Sequence, residues 1–269
     1  MKGLIQEYGL ILVGVAAMLI CLLFGKQVFQ HDIKDATVSN IAKLMQNNNA
    51  ETGENITKPE KHVKASDLIE IEGTKYIVLE ERKNNQALVM TVDSIGNRKF
   101  QSNYDNNTYL RTDGQNANTY EGSDIDKYLE NTWYKGLSAK IQKAIQAANI
   151  KQASYARNED PDSKQETGYN GQVYNTISRH VFLPSVSEIG KVVDLKNPDK
   201  VSEFLGNTRN VNIWTRDSYQ GNAYYAESLA KYNGRLSCDY VDFDYNTRPT
   251  FIIDLSKVDY TEVGHVNYK

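Results

Sequence analysis

The sequence predicts an α+β domain of small antiparallel sheets and one or two helices, carried behind a single N-terminal transmembrane helix and a helical stalk. Three observations predict it. An uncharged apolar run occupies Tyr8–Gly25. Short alternating apolar runs cluster between residues 65 and 92 and again beyond residue 210. Between them lies one four-residue apolar repeat, at Ile125, Leu129, Trp133, Leu137, Ile141 and Ile145. The 269 residues thus divide into an anchor and amphipathic stalk (1–45), a polar linker (46–64) and a globular domain (65–269).

Residues 8–25, with Leu4 and Ile5 before them, reach the roughly 20 residues that span about 30 Å of hydrocarbon. Membrane lipid is therefore the expected partner of residues 8–25. Leu22, Leu23 and Phe24 precede Gly25, so the small-x-small site of a cleaved signal peptide is missing. A buried core helix would not be apolar on every face. Lys2 lies on one side of the run and Lys26, His31 and Lys34 on the other, so the positive-inside rule does not decide orientation. The remainder is rich in Asn, Tyr, Thr, Ser and Gly, a composition that suits an extracytoplasmic surface. Beyond Gly25, the apolar residues Val28, Phe29, Ile33, Val38, Ile41, Leu44 and Met45 recur at roughly helical spacing. That face is either simply exposed or packs on the domain or on another subunit. Gln46–Asn55 is polar and Asn-rich and cannot bury apolar surface, which makes it a linker.

Net charge is −3, so no global basic field exists to hold nucleic acid. Of the two cysteines, Cys21 lies in the membrane run. Cys238 is left alone in the domain, with no intramolecular disulfide partner there. A domain without disulfides fits a bacterial surface protein.

The domain opens with strands at Leu68–Glu72 and Lys75–Leu79, turned at Gly73-Thr74, and a third at Ala87–Val92 after the turn signal Asn84-Asn85. Asn103–Gly122 is a polar loop. Ser123 opens a helix in a capping-box pattern with Asp126 in the acidic position. The apolar repeat follows, interrupted near Gly136-Leu137-Ser138, with Trp133 anchoring it on the sheet. Arg157–Gly171 is a hydrophilic loop and His180–Pro184 a short strand. Ser185 caps the next helix, with Glu188 completing a capping box. Strands follow at Asn212–Arg216, Ala223–Glu227 and Thr250–Leu255, with turns at Asn233-Gly234 and Asn246.

The order of these elements carries a resemblance. Its marks are Val181-Phe182-Leu183-Pro184-Ser185, Trp214-Thr215-Arg216-Asp217-Ser218 and Thr247-Arg248-Pro249-Thr250-Phe251. Over roughly residues 66 to 258 the chain resembles an uncharacterised bacterial domain family of surface and mobile-element proteins. That family is similar to the C-type-lectin-like fold, to the formylglycine-generating group and to the variable proteins of diversity-generating retroelements. The resemblance implies a compact α+β domain whose termini meet in a small antiparallel sheet. It implies a core role for Trp214 and structural roles for Arg216 and Arg248. The start, Lys2-Gly3 followed by an apolar run with Glu7, also resembles a type IV pilin signal, although Leu4 stands where Phe is usual and Glu7 comes one position early. That second resemblance implies a pilin-like or secretion-apparatus subunit that self-assembles through its N-terminal helix.

No catalytic set emerges from the sequence. The formylglycine-generating group uses a cysteine pair, and this domain has only Cys238. His62, His180 and His265 lack metal-ligand spacing, and no phosphate loop or nucleophile elbow appears. Asp239, Asp242, Asp244 and Asn246 offer oxygens suited to Ca²⁺ without an EF-hand pattern, which is also the composition of an ordinary polar loop. Neither cofactor nor metal is expected. The C-terminal third is rich in Tyr interleaved with Asn and Ser, the composition of adaptable binding surfaces. Tyr219, Asn222, Tyr224, Tyr245 and Asn246 are the candidate binding residues. The expected function is a non-catalytic, membrane-anchored adhesion or recognition module on the bacterial cell surface, whose ligand is a protein or a glycan.

Overall fold

Two left-handed turns set the first sheet. β1 (Asp67–Ile71) and β2 (Thr74–Glu81) are joined through Glu72 and Gly73, at φ 49° and 79°. β2 and β3 (Gln86–Thr91) are joined through Asn84 and Asn85, at φ 60° and 58°. Positive φ at both central residues is the turn geometry whose twist matches that of paired strands. The first turn thus sits one residue earlier than the sequence predicts.

The computed structural model describes residues 62–155, 172–206, 212–219, 222–230 and 234–269. His62–Lys269 make one structural unit. The apolar run at 8–25, the stalk, most of the linker and the loop at 157–171 lie outside the described residues. Among the described residues, no helix is long and apolar enough to cross a membrane.

Along the chain, β4 (Asn97–Arg98) precedes a long irregular segment, then α1 (Asp124–Tyr128). The Ser123 side chain caps α1 by accepting from the Asp126 N–H. The helix runs on through a π-helical turn at Leu129–Trp133 and a last turn at Tyr134–Gly136. Ser138 then caps α2 (Ala139–Ala144). Leu137 is extended, so the helix breaks where Gly136-Leu137-Ser138 predicts. Trp133 is half-buried with its ring 6.0 Å from that of Phe251. Ile145 does not continue the helix but starts β5 (Ile145–Gln146), paired with the strand at Thr250–Asp254. A two-stranded ribbon follows, β6 (Ala148–Tyr155) with β7 (Gln172–Arg179). The expected strand at His180–Pro184 is reduced to a single bridge, Phe182 to Thr250, because Ser185 starts a helix immediately after it. That helix, α3 (Val186–Ile189), carries the capping box between Ser185 and Glu188. α4 (Pro198–Leu205) is capped by Asn197, with proline in its first turn.

The remaining strands are β8 (Asn212–Ser218), β9 (Tyr225–Ala230), β10 (Arg235–Tyr240), β11 (Tyr245–Asn246), β12 (Thr250–Asp254) and β13 (Thr261–His265). Asn246 is therefore a strand residue and not a turn. It pairs with Asn97 on β4 and with Ile213 on β8, neighbours brought in from distant parts of the chain. The six-stranded sheet has the order β13-β1-β2-β3-β12-β5, so the first and last strands of the unit are neighbours. The five-stranded sheet has the order β10-β9-β8-β11-β4. This is an α+β fold, and its strand pairs are antiparallel except for the contact of β11 with β8. One apolar core, with Trp214, Tyr76, Tyr120, Phe100, Phe182 and Phe251 as its largest fully buried side chains, joins the elements.

Candidate functional site

Trp214 is the inner end of a chain of rings that runs to the surface. It packs against Phe100 (5.8 Å between ring centres) and Tyr245 (4.7 Å), and its indole N–H donates to the Arg98 carbonyl at 2.9 Å. From Tyr245 the chain continues to Phe243 (6.1 Å), Tyr240 (5.3 Å), Tyr224 (5.4 Å, stacked) and Tyr109 (4.1 Å). Tyr225 branches from it, 4.5 Å from Tyr224 and 4.7 Å from Tyr240, and Tyr219 lies 6.0 Å from Tyr225. Tyr240 and Phe243 are the exposed crest, at 42% and 44%. Aromatic groups in tilted and stacked contacts hold one another in place, so the crest is a rigid apolar surface rather than a set of independent side chains.

The end of β10 and the run into β11 carry the crest itself, and two further segments buttress it. The first is the loop between β8 and β9, tied by the buried Asn118. The Asn118 amide donates to the carbonyls of Tyr219 (3.2 Å), Asn222 (2.9 Å) and Tyr225 (2.9 Å), and its backbone N–H donates to the Ala223 carbonyl. The second is the segment from Ser102 to Thr112, which the sequence shows only as a polar loop. Tyr109 sits there at φ 52°, a left-handed conformation that is costly for a bulky side chain. Its backbone is held by bonds to Asp105 and Ala117, and its ring is held by Tyr224. Strain of this kind persists where surrounding structure over-determines it, and it concentrates at functional sites. Arg111 fixes the base of the same loop. Its guanidinium is buried and donates to Asp113 (2.7 Å) and to the carbonyls of Thr119 (2.8 Å) and Glu121 (2.7 Å). The Arg111 bond holds the Asp113 carboxyl below the usual carboxylate range.

The structure ties Tyr219 and Asn222 to Asn118 and stacks Tyr224 between Tyr109 and Tyr240. Tyr245 lies deeper, half-buried on Trp214, and burial followed by the Asp239 charge pushes its phenol up to about 12. Asn246 is locked into β11. Tyr240 and Phe243 form the exposed crest, and Tyr104 and Tyr109 flank it. Sequence reasoning did not single out Tyr104, Tyr109 or Asn118. The signal available was the same mixture of Tyr and Asn between residues 103 and 109 that marks the C-terminal third.

Arg216 and Arg248 lie inside. Arg216 binds Glu188 through both terminal nitrogens, at 2.6 and 2.7 Å, and also donates to the carbonyls of Leu183 and Lys151. Arg248 donates to the carbonyls of Phe204 and Leu205 at the C-terminus of α4, where helix carbonyls lack partners and a cation is favourable. Burial lowers its guanidinium to about 10.

The acidic residues between Asp239 and Asp244 do not converge. Asp239 accepts from Ser228 at 2.7 Å, Asp242 faces a pocket beside Tyr104, and Asp244 is exposed. Among the described residues no three His, Cys, Asp or Glu side chains assemble as a metal site requires. Cys238 lies opposite Glu227 across β9 and β10. Burial, then the charges of Glu227 and Asp239, push its thiol up to about 11, which leaves it protonated and a poor nucleophile near neutral pH.

Burial, then the charge of Asp217, pushes Glu227 itself up to about 8. A folded carboxyl with a raised pKa holds a proton that the unfolded chain has already released. Its stabilising contribution is complete below about pH 4.5 and is lost as pH rises to about 8. The melting temperature should therefore fall between pH 5 and pH 9, and Glu227→Gln should recover roughly 3–6 °C of it at pH 9. A variant whose melting temperature tracks the parent at both pH values would contradict the assignment.

These features define a class, an α+β domain with a rigid aromatic ridge at the edge of its five-stranded sheet. Residues 84–255 match the family described as a domain of unknown function, DUF6273, and the chain belongs to that family. The match spans the ridge and leaves β1, β2 and β13 outside it. No curated protein and no solved structure matches the chain.

Proposed function

We propose that the chain is a membrane-anchored, extracytoplasmic binding module of the bacterial cell surface, without catalytic activity, built on a C-type-lectin-like domain. The observation that carries this reading is the exposed crest of Tyr240 and Phe243, backed ring on ring by Tyr224, Tyr109 and Tyr225. Rigid aromatic anchors supply large contact area at low entropic cost and dominate binding energy where they occur. The apolar run at 8–25 supports anchoring. The pairing of β1 with β13 supports the lectin-like reading, because that fold closes its termini in one sheet.

The test is retention of purified bacterial envelope polymers and envelope proteins by the full-length chain in detergent. Tyr224→Ala, Tyr240→Ala and Phe243→Ala should each weaken capture by about 1–2 kcal/mol, roughly 5- to 30-fold, with little change in the melting curve. Capture that survives all three changes together would remove the ridge as the binding surface.

A further inference from the structure

Beside the ridge lies a pocket of about 590 Å³ with Tyr104 as its one aromatic wall. Its walls include Asn103, Asp105, Asn106, Thr108, Tyr104 and Asp242. The two features share their segments: Tyr109 follows Thr108, and Asp242 stands between Tyr240 and Phe243. Burial, then the charges of Asp242 and of the ridge residues Tyr109, Tyr240 and Tyr224, raise the phenol of Tyr104. Tyr104 is therefore a neutral hydroxyl at the junction of pocket and ridge.

The chemistry of the walls narrows the ligand. Arg111 also borders the pocket, but Asp113 and two carbonyls already occupy its guanidinium, so it is not available to neutralise an anion. The carboxylate of Asp242, and that of Asp105, which already accepts from the Asn107 and Thr108 N–H groups, make the pocket negative, which disfavours phosphate, sulfate and uronate groups. An apolar side chain would find one apolar wall, Leu110, and would take water from the amides and hydroxyls that make up the rest without replacing its hydrogen bonds. A cation would use the carboxylates and leave the amide donors of Asn103 and Asn106 unmatched. Amides that donate, carboxylates that accept and hydroxyls that do both match groups that are themselves both donor and acceptor. Vicinal hydroxyls on a ring have that character. The slightly positive C–H face of the same ring packs on the negative face of an aromatic system such as Tyr240 and Phe243.

We infer that the pocket formed by residues 102–112 and Asp242 binds an uncharged saccharide directly, without a metal ion, its hydroxyls entering the pocket and its C–H face resting on the crest. The inference rests on the binding-surface reading and adds the ligand class and a second wall to it.

Calorimetric titration of the full-length chain in detergent, with soluble oligomers of N-acetylglucosamine, glucose, galactose and mannose, tests it. Polylysine, inorganic phosphate and polygalacturonate serve as the charged comparisons. At least one neutral oligomer should bind, and excess EDTA should leave its affinity unchanged. Asn106→Ala, at an exposed position, and Asp242→Asn should each weaken it at least 10-fold while the melting curve is retained. Binding of none of the neutral oligomers, loss of binding in EDTA, or equal binding by both variants would overturn the inference. If an envelope protein is instead captured through Tyr240 and Phe243, and Asn106→Ala has no effect, the saccharide pocket falls and the binding ridge stands. If Tyr240→Ala and Phe243→Ala change no capture of any kind, both fall.

Discussion

Replacing Trp214 with Ala should cost roughly 3–5 kcal/mol in denaturant unfolding, the usual range for truncating a buried aromatic. The indole has no exposed surface. Its loss empties the space between Phe100 and Tyr245, and it leaves the Arg98 carbonyl without the donor it has at 2.9 Å. An unsatisfied buried acceptor adds its own penalty to the cavity. Trp214 also supports Tyr245, which supports Phe243, so the variant should weaken ligand capture even at temperatures where it remains folded. A loss under about 1 kcal/mol would show that the indole is not the anchor of this core.

Arg216→Ala should be comparably severe, about 3–5 kcal/mol, because it leaves Glu188 as an unpaired buried carboxylate. Burial alone would raise the Glu188 carboxyl, but the two bonds from Arg216 prevail and hold it below the usual range. Without Arg216 the burial effect wins and Glu188 is pushed up instead. The gap between parent and variant should therefore narrow as pH falls toward 4, where the variant's Glu188 is protonated and the parent's ion pair weakens. Replacing the pair together, Arg216→Met with Glu188→Leu, should recover part of the loss. A pH-independent gap in chemical denaturation would contradict the ion pair as the cause.

Much of the fold was legible because its signals are local. Ser123 and Ser185 each accept the N–H that their sequence context offers, and Asn84-Asn85 adopts the left-handed pair that its short polar side chains tolerate. The features that escaped depend on distant partners. β6 reads Ala-Asn-Ile-Lys-Gln-Ala-Ser-Tyr, a weak strand sequence that exists because β7 pairs with it along its whole length. β11 is two residues long and is defined by β4 and β8 rather than by its own sequence, which is why Asn246 reads as a turn. Ile145 continues the helical repeat in sequence, but its place opposite Ile253 on β12 overrides it.

The site was half legible. Tyr/Asn composition singled out the C-terminal third, and the ridge draws most of its rings from there. Composition does not distinguish Tyr245, which lies on Trp214, from Tyr240, which stands at the surface. That difference comes from the sheet: Tyr240 ends the edge strand β10, whereas β11 places Tyr245 between β8 and β4, on Trp214. Tyr104 and Tyr109 were hidden because the Ser102–Thr112 loop has no periodicity. Its shape comes from the buried bonds of Arg111 and from the positive φ of Tyr109, neither of which a residue pattern records.

Solvent footprinting of the full-length chain, with and without isolated bacterial envelope material, tests the binding-surface reading most directly. Side-chain labelling at Tyr104, Tyr109, Tyr240 and Phe243 should fall together when the envelope material is present, while Val263 on β13, exposed at 42%, should label unchanged. Undiminished labelling of these four residues, with protection confined to β13 or to the β6–β7 ribbon, would contradict the account.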